Sequence, residues 1–175
     1  MNLGNRKIIY RGINLNSIEI IRYTPQFLPD LKELIIHAEN FGNVFLENEL
    51  KIINTFHNSP DYGFVIIAFD SKEEKILGYS AIETGWRSLI IKTIITHHNY
   101  LRKGIGTIII NYLKNFGEKH PDINVIRVDT GDFMTYAQKF YLSNGFIISG
   151  HVSHDLSWNN TQIHFSFPLK GNKIG

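Results

Sequence analysis

The chain has 175 residues, 43% of them hydrophobic, and a formal net charge of +2; that length and apolar share suffice for a full core and favour one domain, 1–175, in which residues 1–16 form an N-terminal extension. So small a charge, with basic residues scattered rather than striped with aromatics, argues against a nucleic-acid partner, and the absence of cysteine excludes disulfides, cysteine-zinc sites and a cysteine nucleophile. Apolar runs are too short or too interrupted by charge to span a membrane, and Met1 to Asn16 lacks the apolar centre of a signal peptide, so the expected compartment is the cytoplasm.

In chain order, Ile18 to Tyr23 reads as a strand and Thr24-Pro25 as a turn. Leu28, Leu31, Ile35 and Ala38 then mark a helix with Pro29 near its first turn, and Val44 to Phe56 a second, weaker helix. Phe64 to Phe69 and Ile76 to Thr84 predict a hairpin around the charged turn Asp70 to Lys75. Gly85 to Ser88 leads into Leu89 to Thr96, a run dense in Ile and Thr that reads as a buried strand. Next comes Gly104-Ile105-Gly106 and a helix whose apolar face is Ile105, Ile108, Ile109, Tyr112, Leu113 and Phe116. A strand at Asn124 to Asp129 precedes a helix carrying Phe133, Ala137, Phe140 and Tyr141 on one face, closed by Gly145. Two strands finish the pattern, Phe146 to Val152 and Gln162 to Leu169, the second with Ile163, Phe165, Phe167 and Leu169 on alternate positions. The expected fold is mixed α/β (α+β), in the order β-α-α-β-β-β-α-β-α-β-β.

A Gly-x-Gly turn between a strand and a helix makes an anion site, because backbone N–H groups approach a ligand without an intervening Cβ and the helix directs its positive end there. Two phosphate loops fail on inspection. A Walker A loop needs Lys-Ser or Lys-Thr after its last glycine, where the chain has Thr107-Ile108, and a dinucleotide fingerprint needs a third glycine where it has Ile109. What remains resembles motif A of the GNAT superfamily of N-acetyltransferases, Arg/Gln-x-x-Gly-x-Gly/Ala, with Leu101 at the Arg/Gln position and Arg102 and Lys103 beside it. About thirty residues on, Ala137-Gln138-Lys139-Phe140-Tyr141-Leu142-Ser143-Asn144-Gly145-Phe146 resembles the end of motif B, Ala-x-x-Phe-Tyr-x-x-x-Gly-Phe. Together the resemblance covers residues 17 to 169.

That resemblance implies a mixed central sheet of six to seven strands flanked by about four helices, with acetyl-CoA as acyl donor. It implies that backbone groups of Arg102, Lys103, Gly104, Ile105, Gly106 and Thr107 hold the pyrophosphate, and that strand edges at Ile94, Ile95 and Thr96 align the pantetheine arm. Met134 stands where the family often carries an Asn on that arm; Asp132 or Thr130 is the alternative polar contact. Tyr141 occupies the position of the tyrosine that lies beside the cofactor sulfur, which makes it the candidate general acid.

The general base is less legible. The strand before motif A offers Lys92, Thr93, Thr96, His97 and His98 but no carboxylate. Glu83, near the end of the preceding strand, is the first candidate, and His97 the second because histidine titrates near neutrality. His97 and His98 fall where the family commonly has Val-x-Pro, so a linker role is the alternative. Glu39, Asn40, Phe41 and Glu47 belong to the region that lines the acceptor side in that superfamily. His151, His154, Asp155 and His164, with Trp158 and Asn159, are read as acceptor or surface contacts, and no metal site is expected.

The expected activity is transfer of acetyl from acetyl-CoA to a primary amine, small molecule or peptide, by direct attack in a ternary complex. A non-catalytic CoA-binding or regulatory domain and a protein N-terminal or lysine acetyltransferase are the alternatives. The loop between the last two strands shapes the acceptor site or a dimer in that superfamily, which leaves a homodimer open.

Overall fold

A computed structural model describes residues 9–10, 13–38, 43–155 and 160–169. A two-stranded ribbon, β1 (Ile9–Tyr10) and β2 (Ile13–Asn14), precedes β3 (Ile18–Arg22) and the helices α1 (Leu28–Ile36) and α2 (Asn43–Asn58). Strands β4 (Gly63–Asp70), β5 (Lys75–Gly85) and β6 (Ser88–Thr96) follow, then α3 (Ile105–Glu118), β7 (Val125–Gly131), α4 (Thr135–Ser143), β8 (Ile147–Asp155) and β9 (Asn160–Pro168). The sequence pattern places every element of the main sheet; the small ribbon lies in the segment read as an extension.

Seven strands form one sheet in the order β3-β4-β5-β6-β7-β9-β8. All neighbours are antiparallel except β6 and β7. A parallel pair requires a crossover connection, and α3 supplies it. The central strands β4 and β5 are buried along nearly their whole length, as expected where helices cover both faces.

Two apolar layers flank the sheet. On one face α3 and α4 bury Ile105, Ile109, Leu113 and Tyr141 against Ile66, Leu77, Ile82, Leu89 and Val128. On the other, α1 and α2 bury Leu31, Ile35, Ile53 and Phe56 against Val65, Ile67, Tyr79, Ala81 and Ile95. Pro29 and Asp30 suit the first turn of α1, where a missing N–H costs nothing and a negative charge meets the helix dipole.

Two side-chain assignments shift. The buried face of α3 is Ile105, Ile109, Ile110, Leu113 and Gly117, turned slightly from the stripe through Ile108. Phe133 precedes α4 and is exposed, so it does not share that helix's inner face. Among the described residues, no helix is long and apolar enough to cross a membrane.

Candidate active site

The site begins where a pairing stops. β6 and β7 are in register from Ser88 with Val125 to Ile91 with Val128. β6 nevertheless runs on to Thr96 and β7 to Gly131, so beyond that point the parallel neighbours part and leave a cleft. Residue Lys92 marks the start of the divergence on β6: Ile82 pairs with Ile91 and Ala81 with Thr93, leaving Lys92 as the extra residue of a bulge. Bulges re-aim a strand locally and terminate pairing. Ile94, Ile95 and Thr96 therefore lie on the part of β6 that has β5 on one side and no strand on the other. A free strand edge of this kind can hydrogen-bond an extended ligand carrying its own amides.

α3 starts at the same end of the sheet. Gly104 is its N-cap, at φ 89°, a left-handed conformation that favours glycine, and it provides no side-chain cap. The amides of Ile105, Gly106 and Thr107 make no backbone hydrogen bond among the described residues; the first to do so is Ile108, to Gly104 O at 3.0 Å. Uncapped N–H groups at a helix N-terminus constitute an anion site. Gly106 is needed on steric grounds as well, since a Cβ there would stand 2.9 Å from Phe140 Cζ and 3.8 Å from Thr96 Oγ1. The turn, the end of β6 and α4 thus meet at one glycine. Arg102 and Lys103 flank it, the first with its guanidinium 5.4 Å from the Tyr136 ring centroid and the second with its ammonium 5.0 Å from that of Tyr100. Uncapped amides, a Cβ-free approach and two adjacent cations fit a pyrophosphate.

α4 forms the opposite wall. Its entry loop is held by Gln138, whose Nε2 donates to Gly131 O at 3.2 Å and Asp132 O at 2.8 Å. Met134 is partly exposed at the helix N-cap, Asp132 is exposed and Thr130 is buried, so Met134 and Asp132 are the accessible members of that trio. At the other end, Lys114 of α3 donates to Asn144 O at 2.6 Å, tying the two helices together, and Gly145 takes φ 81°.

Tyr141 is 5% exposed. Its ring packs against Phe140, Phe146 and Phe165, with centroids 5.3, 5.6 and 5.6 Å away. Burial first, and the negative charge of Asp129 second, push the phenol well above its ordinary range. Asp129 is the first β7 residue beyond the last β6 partner, which ties Tyr141 electrostatically to the open segment. Its hydroxyl forms no hydrogen bond among the described residues. Tyr141 is therefore a protonated donor at neutral pH with no acceptor among the described residues.

The residues weighed as bases are placed differently from one another. Glu83, alternating with Tyr79 and Ala81, projects on the α1/α2 face and pairs with Lys92 at 3.4 Å. His97 caps the turn after β6, its Nδ1 accepting from Asn99 N at 3.2 Å, and its ring stacks on His98 at 4.5 Å. Burial, then Lys75 and His98, push its pKa down, so the ring is neutral near pH 7 with its single lone pair already used.

Glu47 is exposed, while Glu39, Asn40, Phe41, Trp158 and Asn159 lie outside the described residues, as do the side chains of His154 and Asp155. His164 is held by Asp129 at 2.5 Å on the neighbouring strand, and His151 is exposed. A cavity of about 400 Å³ lies at the far end of the sheet, between Phe56 and His57 of α2 and Phe116 and His120 beyond it; the cleft of β6 and β7 is a separate, open feature.

One residue escaped the sequence reading. Glu49 of α2 is 3% exposed and accepts from Tyr79 Oη and Thr93 Oγ1, each at 2.7 Å. Its signal is in the helical period: Phe45, Glu49, Ile52, Ile53 and Phe56 share a face, so an acid interrupts an otherwise apolar stripe.

A cleft opened by a splayed parallel pair beside an uncapped helix start can hold an extended ligand that ends in a pyrophosphate. The family model described as the acetyltransferase (GNAT) family matches residues 29–146, and the chain belongs to that family. It is accordingly an N-acetyltransferase that uses acetyl-CoA as donor. No curated protein sequence matches the chain. Among solved structures, it resembles the ribosomal-protein-S18-alanine N-acetyltransferase of Escherichia coli at TM-score 0.71 and 14% identity, covering 90% of this chain and 97% of that one. It also resembles the spermidine/spermine N-acetyltransferase of Vibrio cholerae at 0.69 and 15%, covering 88% and 94%. A Bacillus anthracis protein described as a streptothricin acetyltransferase, solved with acetyl coenzyme A, aligns at 0.60 and 22%, covering 67% and 68%. At these identities the likeness speaks to fold.

Proposed function

We propose that the chain, acting as one domain in the cytoplasm, transfers acetyl from acetyl-CoA to a primary amine by direct attack in a ternary complex. The observation that carries this reading is the pairing of β6 with β7, which ends at Ile91 and Val128 beside the uncapped start of α3. Without cysteine, a thiol relay through the protein is absent, and holding both substrates together supplies rate through orientation.

The residues divide the work. Arg102 to Thr107 hold the pyrophosphate, and the edge of Ile94 to Thr96 aligns the pantetheine arm and polarises the thioester carbonyl. Met134 packs on the arm from α4. The C–N bond forms as the C–S bond breaks, and Tyr141 offers its O–H to the departing sulfur. A raised phenol pKa keeps that proton in place at neutral pH but makes it a weak acid towards a thiolate of reference pKa about 8.5. Tyr141 therefore acts chiefly as a hydrogen-bond donor, with a modest rate effect. Of the two bases read from the sequence, Glu83 remains accessible, whereas His97 has spent its lone pair on Asn99.

The segment from His151 on β8 to His164 on β9 shapes the acceptor side. Related folds include enzymes named for a polyamine and for a ribosomal-protein alanine, so a small polyamine and a peptide amine are both candidate acceptors for this chain. Initial-rate kinetics with acetyl-CoA and a reacting amine test the mechanism. Intersecting double-reciprocal lines are expected; parallel lines with an acetylated protein would exclude direct attack.

A further inference from the structure

Glu49 is a carboxylate that folding alone gives little reason to keep. Burying an acid is costly unless it is paired and hydrogen-bonded, and Glu49 has no ion-pair partner among the described residues. From β5 Tyr79 and from β6 Thr93 face it, each donating a hydrogen bond, and no charged side chain of α1 or β4 acts on it. Of the two donors, Tyr79 is fully buried, whereas Thr93 is only partly buried and stands on the segment of β6 that has already parted from β7. Thr93 also pairs with Ala81 immediately after the Lys92 bulge, where β6 is re-aimed. A single hydroxyl therefore links a buried carboxylate to the segment of β6 that borders the cleft in which the proposed reaction takes place.

We propose that Glu49 is the proton acceptor for the incoming amine, acting through the Thr93 hydroxyl. The amine arrives as an ammonium ion. Its proton passes to Thr93 Oγ1 while the hydroxyl proton passes to Glu49 Oε1, leaving a neutral amine and a protonated Glu49, with the hydroxyl restored. The nitrogen then attacks the thioester carbon and the C–S bond breaks. The second proton on that nitrogen passes to the departing sulfur, which the Tyr141 hydroxyl stabilises by a hydrogen bond, and Glu49 returns its proton to solvent when the products leave. Burial raises the Glu49 carboxyl above the usual carboxylate range, with the hydrogen bonds from Thr93 and Tyr79 pulling it part of the way back, which suits a base working near neutrality. Thr93 is the catalytic residue in this scheme, and Glu49 the positioning residue and proton store behind it.

The inference rests on the acetyl-transfer reading, and the test separates the two. The kcat of the full chain would be followed across pH, with CoA thiol release as readout, for the wild type and for Glu49→Gln, Glu83→Gln, Thr93→Val and Thr93→Ser. Because kcat reports groups of the ternary complex, the wild type should lose rate at acidic pH as Glu49 is protonated. Glu49→Gln should lower kcat about 10²-fold or more and abolish that limb, Glu83→Gln should retain the limb, and Thr93→Ser should restore most of what Thr93→Val loses. Should Glu49→Gln fail to fold, the two Thr93 variants decide the matter, since Thr93→Val keeps the branched shape without the hydroxyl and Thr93→Ser keeps the hydroxyl without the methyl. An unchanged kcat profile in folded Glu49→Gln, or equal rates for Thr93→Val and Thr93→Ser, overturns this inference alone. A wild type that releases no CoA with any amine overturns the acetyl-transfer reading and this inference with it.

Discussion

Gly106 and the Phe140 ring are so close that a Cβ on the glycine would lie 2.9 Å from Cζ. The second glycine of the turn therefore serves packing between α3 and α4 as well as access to the helix amides. A substitution there mixes two effects. Gly106→Val should cost stability by overpacking, on the order of 1–3 kcal/mol, and weaken CoA binding at the same time.

A cleaner probe of the backbone cradle is Thr107→Pro. Proline is tolerated in the first turn of a helix, where the N–H has no helical partner, and Thr107 N makes no backbone hydrogen bond here. The change deletes one donor to the pyrophosphate while leaving the Gly106–Phe140 contact in place. A hydrogen bond to a charged group is worth about 1.5–3 kcal/mol, so CoA affinity by calorimetry should fall roughly tenfold to a hundredfold. Leu101→Ala, at an exposed side chain, should leave it nearly unchanged. Equal affinity for wild type and a folded Thr107→Pro would remove the amides from cofactor binding.

Tyr141→Phe should retain folding and CoA affinity, because the ring contacts with Phe140, Phe146 and Phe165 persist. Its kcat should fall by about 10²-fold or less, the low end of acid catalysis, since the thiolate is a tolerable leaving group. Equal kcat at every pH would return Tyr141 to the core.

The same phenol has a consequence for stability. Tyr141 and Tyr79 both have folded pKa values raised above the unfolded value of about 10. Below that pH both states keep their protons and stability is unaffected. As pH rises past about 10 the unfolded chain ionises first, and stability falls. Denaturant melts of wild type and Tyr141→Phe should therefore diverge above about pH 10, with the variant losing less. Parallel losses would mean that Tyr141 ionises normally.

Glu49 gives the opposite handle, at low pH. Its folded pKa lies above the unfolded value of about 4.3, so the cost of keeping it ionised and buried is present at neutrality and disappears as pH falls through the folded pKa. The stability difference between wild type and Glu49→Gln should shift in favour of wild type on mild acidification. A pH-independent difference would show that the carboxyl is not perturbed.

A separate expectation concerns the segment His151 to Asn160, which starts within β8 and ends at the first residue of β9. It is predicted to select the acceptor rather than hold a metal, from its position after motif B and its His, Asp, Trp and Asn content without cysteine. Elemental analysis of untagged protein should find no stoichiometric zinc; full occupancy lost on His154→Ala would reverse the assignment.

Much of the fold was legible because its strands and helices carry strong periods, and because Gly104, Gly106 and Gly145 punctuate them. The cofactor turn could be located from two glycines and a helix. The splay of β6 from β7 could not, because it is a property of pairing between strands about thirty residues apart, and the local Ile/Thr run at Leu89 to Thr96 looks the same whether its edge is covered or free. Glu49 was overlooked for a related reason. Acids close in sequence to the strand before the turn are the visible candidates, whereas Glu49 reaches that strand across the sheet face from α2. Its position on an apolar helical stripe was the available sign. His97 shows the converse: its chemistry suited a base, but the Asn99 N–H that occupies its lone pair arises from the turn's geometry.

The most direct measurement is acetyl-CoA turnover by the purified chain over a panel of polyamines, amino acids, aminoglycosides and peptides, following CoA thiol release and the mass of each acceptor. Amine-dependent thiol release, matched by the gain of one acetyl group on a primary amine and with no acetyl left on the protein, is expected. Tight CoA binding with no acceptor acetylated anywhere in the panel would contradict it.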